Sequence, residues 1–259
     1  MAKVRVAVEL LRRCGHSPRL LYTATDQVPT SGWGAKMRYF LQHPRPYQTE
    51  FEGYPGFAVP HWPLPIWATY ALPWLFFRRA IANHHINIVI SGANHCGLPC
   101  AIARKRYIVW IGTLYEDELT GKAVGGDHWA QQMLTGMQGG ILDKVERFVF
   151  ERAALILTNG SHTAHRVREA HPDVSEKVRT AMFAVDTNVF RPATPDDMQP
   201  DSAPYLLLTG RINDPRKNVG MLFRAFARVC ERRPDFRLIL TGDQPWETVR
   251  AMAREVGVA

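Results

Sequence analysis

Three cations stand close together in the segment Leu206-Leu-Leu-Thr-Gly-Arg-Ile-Asn-Asp-Pro-Arg-Lys-Asn218: Arg211, Arg216 and Lys217. An apolar run precedes them and an amphipathic run follows, so they fall in a loop between a strand and a helix. Ligands of open α/β sheets lie beyond the carboxyl ends of strands. A helix N-terminus at that place presents unpaired N–H groups and a partial positive charge, which suits phosphate. Arg211 can grip two phosphate oxygens at once, and Lys217 adds a point charge. Gly210 lets the backbone approach a ligand closely. The alternative is a basic surface loop with Asn218 as a helix cap. Gly242 and Asp243 end the next apolar run. They fall on the same edge and are expected to line the same pocket.

Other segments carry less chemistry. His95, Cys96 and Cys100 do not make a zinc site, because no second ligand pair accompanies them. They read as a strand-end loop with buried thiols. Gly121-Lys122 lacks the glycine spacing of a Walker loop, and Ala123 replaces its Ser or Thr. Thr120–Asp127 reads instead as a mobile glycine-rich loop over a cleft. Ser161-His162 lacks the nucleophile elbow and is expected to start a helix, with Ser161 as cap. The aromatic stretch Trp62–Phe77 ends in Arg78-Arg79. As function, it would touch an anionic membrane surface or a lipid-linked acceptor. As structure, it is a core helix with a proline-rich lead-in. No helix-turn-helix, zinc-finger or RNP pattern is present, which argues against nucleic acid as a partner.

The elements that must position these groups alternate. Strands are expected at Arg19–Thr25, Ile86–Ser91, Tyr107–Ile111, Leu155–Asn159 and Val178–Phe183. Helices are expected at Ala2–Arg13, within Ile66–Asn83, at Gly97–Lys105, across Asp127–Arg152 with a break near Gly139–Gly140, and at Ser161–Ala170. Such alternation implies parallel sheets with helices on both faces. Arg191–Pro204 holds four prolines and three aspartates and reads as an interdomain linker. Beyond it the alternation restarts: strand Tyr205–Thr209, helix Asn218–Arg232, strand Arg237–Leu240, helix Trp246–Val256. In the helix at 218–232, Val219, Leu222, Phe223, Phe226, Ala227 and Cys230 form a single apolar face. The expected organisation is an N-terminal Rossmann-like domain over 1–190, a linker over 191–204, and a partial C-terminal domain over 205–259.

The bulk properties set limits. The 259 residues are 46% hydrophobic and 22% charged, as in an ordinary globular protein, which excludes a disordered chain or a coiled coil. The four cysteines are scattered and read as free thiols of a reducing compartment. With no apolar stretch of spanning length, and no signal-peptide core at the N-terminus, a cytoplasmic protein is expected. The net charge of +8 favours anionic partners without choosing among them.

The segments together resemble a known family. Thr-Gly-Arg-Ile-Asn-Asp-Pro-Arg-Lys-Asn218, the amphipathic helix, and Pro-Asp-Phe-Arg-Leu-Ile-Leu-Thr-Gly-Asp243 look like glycosyltransferase family 4, of the GT-B fold. Glu151-Arg-Ala-Ala-Leu-Ile-Leu-Thr-Asn-Gly-Ser resembles the stretch that closes that family's N-terminal domain. Val185-Asp-Thr-Asn-Val-Phe-Arg-Pro192 resembles the signature before its linker, and the helix ending Arg13-Cys-Gly-His-Ser resembles its first helix. The resemblance implies a retaining transferase with two Rossmann-like domains, the nucleotide-sugar donor on the second and the acceptor on the first. Arg211 and Lys217, with Arg216 and Gly210 beside them, match the family's diphosphate-binding positions. The two cations and the helix terminus would then stabilise the leaving group without a metal or other cofactor. The family's glycine-rich loop after its first strand would precede Met1, and its paired glutamates would follow Ala259, so the resemblance also implies truncation at both ends. Where many members have a histidine, this chain reads Trp110-Ile-Gly-Thr-Leu-Tyr-Glu116, which leaves Thr113 or Glu116 as the polar, catalytic group near the acceptor. Otherwise Glu116-Asp-Glu118 is a solvated loop.

The expected function is thus transfer of a sugar from a nucleoside-diphosphate donor to a glycan or lipid-linked acceptor, with retention, in the cytoplasm or at the inner membrane face. Two alternatives stand beside it. One is a non-catalytic GT-B-like remnant that binds a nucleotide or a protein. The other is a sugar-nucleotide epimerase on the same fold.

Overall fold

The computed structural model describes residues 2–24, 32–42, 47–51, 53–60, 68, 74–192, 194, 203–242 and 244–258. The chain divides into two compact units. The first contains 1–118 and 133–187, and the second contains 119–132 and 188–259. The sequence-based boundaries differ from this division chiefly in the segment 119–132, which groups with the second unit. Most of the expected linker and most of the aromatic stretch 62–77 lie outside the described residues, as does Asp243.

The first unit opens on helix α1 (Ala2–Arg13), whose Ala7 and Val8 are buried. Strand β1 (Leu20–Ala24), helix α2 (Trp33–Gln42) and strands β2 (Tyr47–Phe51) and β3 (Tyr54–Pro60) follow. β3 pairs parallel with β1 and antiparallel with β2. Neither α2 nor the β2–β3 hairpin was expected. The hairpin turns at Gly53, whose φ of +79° suits a residue without a side chain. Gly56 lets β3 approach β1, since a Cβ there would meet the Leu20 carbonyl at 2.9 Å. Tyr54 joins α1 to the hairpin by donating its hydroxyl to Glu9 Oε1 at 2.6 Å, with Arg12 over its ring.

A second sheet of this unit runs in the order β4 (Asn87–Ser91), β5 (Tyr107–Ile111), β6 (Leu155–Thr158), β7 (Val178–Thr180), and every pairing in it is parallel. This is the expected architecture. Helices α3 (Trp74–Ala82), α4 (Leu98–Ile102), α5 (Tyr115–Val124), α6 (His128–Thr135), α7 (Met137–Arg152) and α8 (Ser161–Ala170) stand between or beside these strands in the sequence. The unit's core joins Val89, Val109, Ile111 and Ile156 of the strands to Val149 and Phe150 of α7 and Val167 of α8. The expected strand to Phe183 ends as regular structure at Thr180. Residues 181–183 are nevertheless held to the sheet, because Trp110 donates to the Ala181 carbonyl and stacks on Phe183.

Three local expectations need correction. The helical break falls at Gly136, between α6 and α7, and not at Gly139–Gly140. Gly139 is helical, and a Cβ there would sit 2.0 Å from the Met133 carbonyl, so the residue serves close packing. Residues 120–124 are helical within α5, so Thr120–Asp127 is not a loop throughout. Gly160, not Ser161, holds the N-cap position of α8, and no side chain caps that helix.

The second unit carries β8 (Tyr205–Thr209), α9 (Val219–Arg232), β9 (Arg237–Thr241) and α10 (Glu247–Glu255), with β8 and β9 parallel. Its core is Ile212, Val219, Phe223, Val249 and Ala253, with Leu208, Leu238 and Leu240 packed on it. The apolar face read from the α9 sequence is the one buried: Val219, Phe223 and Phe226 are all inside. The opposite sheet face, with Tyr205, Leu207 and Ile239, is exposed.

Candidate functional site

The site lies at the carboxyl ends of β8 and β9. Gly210 and Gly242 follow the last residues of the two strands, and both have φ +129°. Strand pairing continues one step further, as the Gly210 N–H donates to the Thr241 carbonyl at 3.2 Å. A Cβ on Gly242 would sit 2.0 Å from the Gly210 carbonyl oxygen. No side chain fits between the two backbones, so glycine at 242 is dictated by packing as well as by φ.

Beyond Gly210 the loop is shaped by two residues that the sequence reading did not single out. Asn213 clamps the two strand-end loops together. Its Nδ2 donates to the Gln244 carbonyl at 2.8 Å, and its Oδ1 accepts the Trp246 N–H at 2.8 Å. Asp214 caps the single 3₁₀ turn Pro215–Lys217, accepting the Arg216 N–H at 3.1 Å. The Asx-Pro sequence was the available signal for this turn. Asp214 also accepts two bonds from the Arg216 guanidinium, at 2.9 and 2.7 Å, and lies 3.3 Å from Arg211. The hydrogen bonds from Arg216 hold its carboxyl well below the usual carboxylate range, at about 2.

The three predicted cations therefore differ in state. Arg216 is engaged by Asp214. Arg211 touches the same carboxylate, yet its side chain is 68% exposed. Lys217 folds its chain over the strand end: its Cε lies 3.6 Å, and its Nζ 4.0 Å, from the point where a Cβ on Gly210 would be. Asn218 stands at the N-cap of α9 with φ +47° and ψ +48°, but its side chain makes no capping bond. The side-chain cap of the alternative reading is thus absent. In the first turn of α9 the Met221 N–H donates to the Asn218 carbonyl at 3.0 Å, while the Val219 and Gly220 N–H groups precede any carbonyl of their own helix. Within this unit Gly121 and Gly125 adjoin the turn. A Cβ at Gly121 would lie 3.2 Å from Arg216 Cδ, and one at Gly125 would clash with Pro215 at 2.3 Å.

In the first unit, Thr113 and Glu116 follow β5. The Gly112 and Thr113 N–H groups both donate to the Gly92 carbonyl at 3.1 Å, and the Thr113 hydroxyl donates to the Leu114 carbonyl. Glu116 is exposed in the first turn of α5. The triplet 116–118 is therefore helical and not a solvated loop, and Asp117 is tied to Arg166 at 2.9 Å. A buried polar group holds this turn. Glu146 of α7 accepts the Tyr115 N–H at 3.2 Å and lies 3.7 Å from His171. Asn94 and His95, at the end of β4, donate to the α7 carbonyls of Glu146 and Leu142. Burial lowers the His95 pKa, against the pull of Glu146. Burial also pushes the Cys96 thiol up to about 11 and the Cys100 thiol up to about 12.

Among the described residues no three His, Cys, Asp or Glu side chains are grouped to hold a metal ion. No helix among them is long and apolar enough to cross a membrane.

No protein-family model and no curated protein matches the chain. Solved structures do. A protein from Listeria monocytogenes assigned as a UDP-N-acetylglucosamine 2-epimerase is similar over 100% of this chain, with a TM-score of 0.53 at 13% identity. The fold is of the GT-B type. This chain spans 63% of that protein's length. MnaA of S. aureus, solved with UDP, is similar over 78% of this chain and 53% of its own, with a TM-score of 0.46 at 14% identity. The likeness is one of fold: α/β units with parallel sheets.

Proposed function

We propose that the chain binds a nucleoside-diphosphate sugar on its second unit and belongs to a retaining glycosyltransferase resembling family 4. One observation carries this reading. Arg211, exposed, and Lys217, folded over Gly210, flank the carboxyl end of β8 beside the N-terminus of α9. Within the segment 211–217, Arg211, Arg216 and Lys217 outnumber the one carboxylate, Asp214, by two charges. That excess matches the charge of the diphosphate in a sugar nucleotide. Asp214 keeps the turn in shape by holding Arg216, while Arg211 and Lys217 meet the phosphates. As the sugar departs, charge builds on the diphosphate, and preorganised cations there stabilise the transition state by about 3 kcal/mol each. Glu116, exposed on the first turn of α5, is the candidate polar group for the acceptor, with Thr113 a residue away from that helix.

In isothermal calorimetry with UDP, GDP and ADP, one nucleotide should bind. Arg211→Ala or Lys217→Ala should weaken it at least about tenfold, or about 1.4 kcal/mol. Unchanged affinity in both variants would remove the loop from the site. The epimerase reading is favoured by the fold of the Listeria protein. Proton NMR of UDP-N-acetylglucosamine incubated with the protein and no acceptor separates the two. An epimerase generates a second set of sugar signals, and a transferase does not. Binding without turnover on either test would favour the non-catalytic remnant.

A further inference from the structure

A cationic groove of about 400 Å³ lies in the first unit, between the C-terminal half of α3 and the end of α4. Arg78, Arg79, Arg104 and Lys105, all exposed, line it together with the apolar side chains of Ala82 and Ile102. No acidic residue lines it, and none of the four cations has an ion-pair partner among the described residues. Four like charges around one groove repel one another, and an anion there would offset that repulsion.

The backbone adds a second, independent observation. Arg104 has φ +51°, in the left-handed region that glycine adopts freely. It stands where α4 closes: its N–H donates to the Ala101 carbonyl, and the Lys105 N–H to the Cys100 carbonyl, both at 3.3 Å. Helices that end in this pattern place glycine at the left-handed position. An arginine there strains the backbone, and the residue lines the groove. A helix C-terminus favours a nearby cation, but Lys105, the next residue, would meet that preference without the strain.

We infer that this groove binds a phosphate-bearing amphiphile, its phosphate held by Arg104, Lys105 and the α3 arginines and its apolar part on Ala82 and Ile102. The site is separate from the β8–β9 edge, and the inference does not rest on the glycosyl-transfer reading.

The test uses the full chain and two probes: octyl phosphate below its micellar concentration, and vesicles of phosphatidylglycerol compared with phosphatidylcholine. Arg104→Gly is the informative variant, because it relaxes the backbone. It should melt at the same temperature as the parent or higher, yet bind the phosphate probe at least about tenfold more weakly. Lys105→Ala should weaken binding by a similar factor. The Arg211→Ala variant should keep this binding, which separates the groove from the β8–α9 loop. Octyl phosphate binding lost in Arg104→Gly supports a soluble phosphate ester. Binding seen only with phosphatidylglycerol vesicles, and lost in the same variant, supports a lipid headgroup. Binding to neither probe, or binding that Arg104→Gly and Lys105→Ala leave unchanged, overturns the inference.

Discussion

At the residue scale, the most informative side chains are those whose environment opposes their ordinary chemistry. His95 is buried, and desolvation lowers its pKa from 6.5. Its linkage to stability follows directly. Below about pH 6.5 the unfolded chain takes up a proton that the folded chain resists, so stability is lost as pH falls. Denaturant titrations at several pH values should show this loss setting in below about pH 6.5, and His95→Gln should flatten it. An equal slope in both proteins would assign the effect elsewhere. In the loop, Asp214 is the residue that composition hides. Counting charges along 211–217 shows cations, but the carboxylate decides which cation remains exposed: Arg216 is engaged, and Arg211 is 68% exposed.

At the element scale, the two glycines that end β8 and β9 let the strand-end backbones meet closely. Gly242→Ala would put a Cβ 2.0 Å from a backbone carbonyl, at a φ of +129°. We expect a loss of about 2–4 kcal/mol in chemical denaturation of the second unit, together with loss of nucleotide binding. A variant as stable as the parent would show that the strand ends are free to separate. Much of this layer was legible in the sequence. Buried parallel strands read as continuous apolar runs, as at Ile86–Ser91, and α9 shows one apolar stripe, so both were placed within a residue or two. The elements that went unread have weak local signals. In α2, Gly34 stands in the first turn after Gly32 and lowers its helix propensity. The β2–β3 hairpin is marked only by Gly53 and carries Pro55 and Gly56 inside β3. Those residues disfavour a strand unless a close neighbour such as β1 requires them. The loop's cations were legible because charge and spacing are written in the chain. Asn213 was not, because its partners, Gln244 and Trp246, come from a different loop.

At the scale of the whole molecule, the second unit has a core of its own but leaves one sheet face bare. Tyr205, Leu207 and Ile239 are exposed on a sheet that, among the described residues, has two strands and two open edges. Such a face invites association. The chain as given is expected to self-associate at tens of micromolar in sedimentation velocity, by order of magnitude. Leu207→Ser with Ile239→Thr should return it to monomer. A monomeric parent would mean that this face is covered. Charge at this scale, +8 overall, attracts anions without selecting them. Selection falls to sites where cations are fixed, and the β8–α9 loop, at the carboxyl ends of β8 and β9, is the one we propose for the nucleotide.

The measurement that reaches this claim most directly is an amide chemical-shift map of the isotopically labelled chain titrated with UDP, GDP or ADP. The predicted result is a cluster of shifted N–H signals at Gly210, Arg211, Lys217, Val219, Gly220 and Gly242. Shifts confined to the residues after β4 and β5, around Gly92 and Thr113, with the β8–α9 loop unmoved, would contradict it.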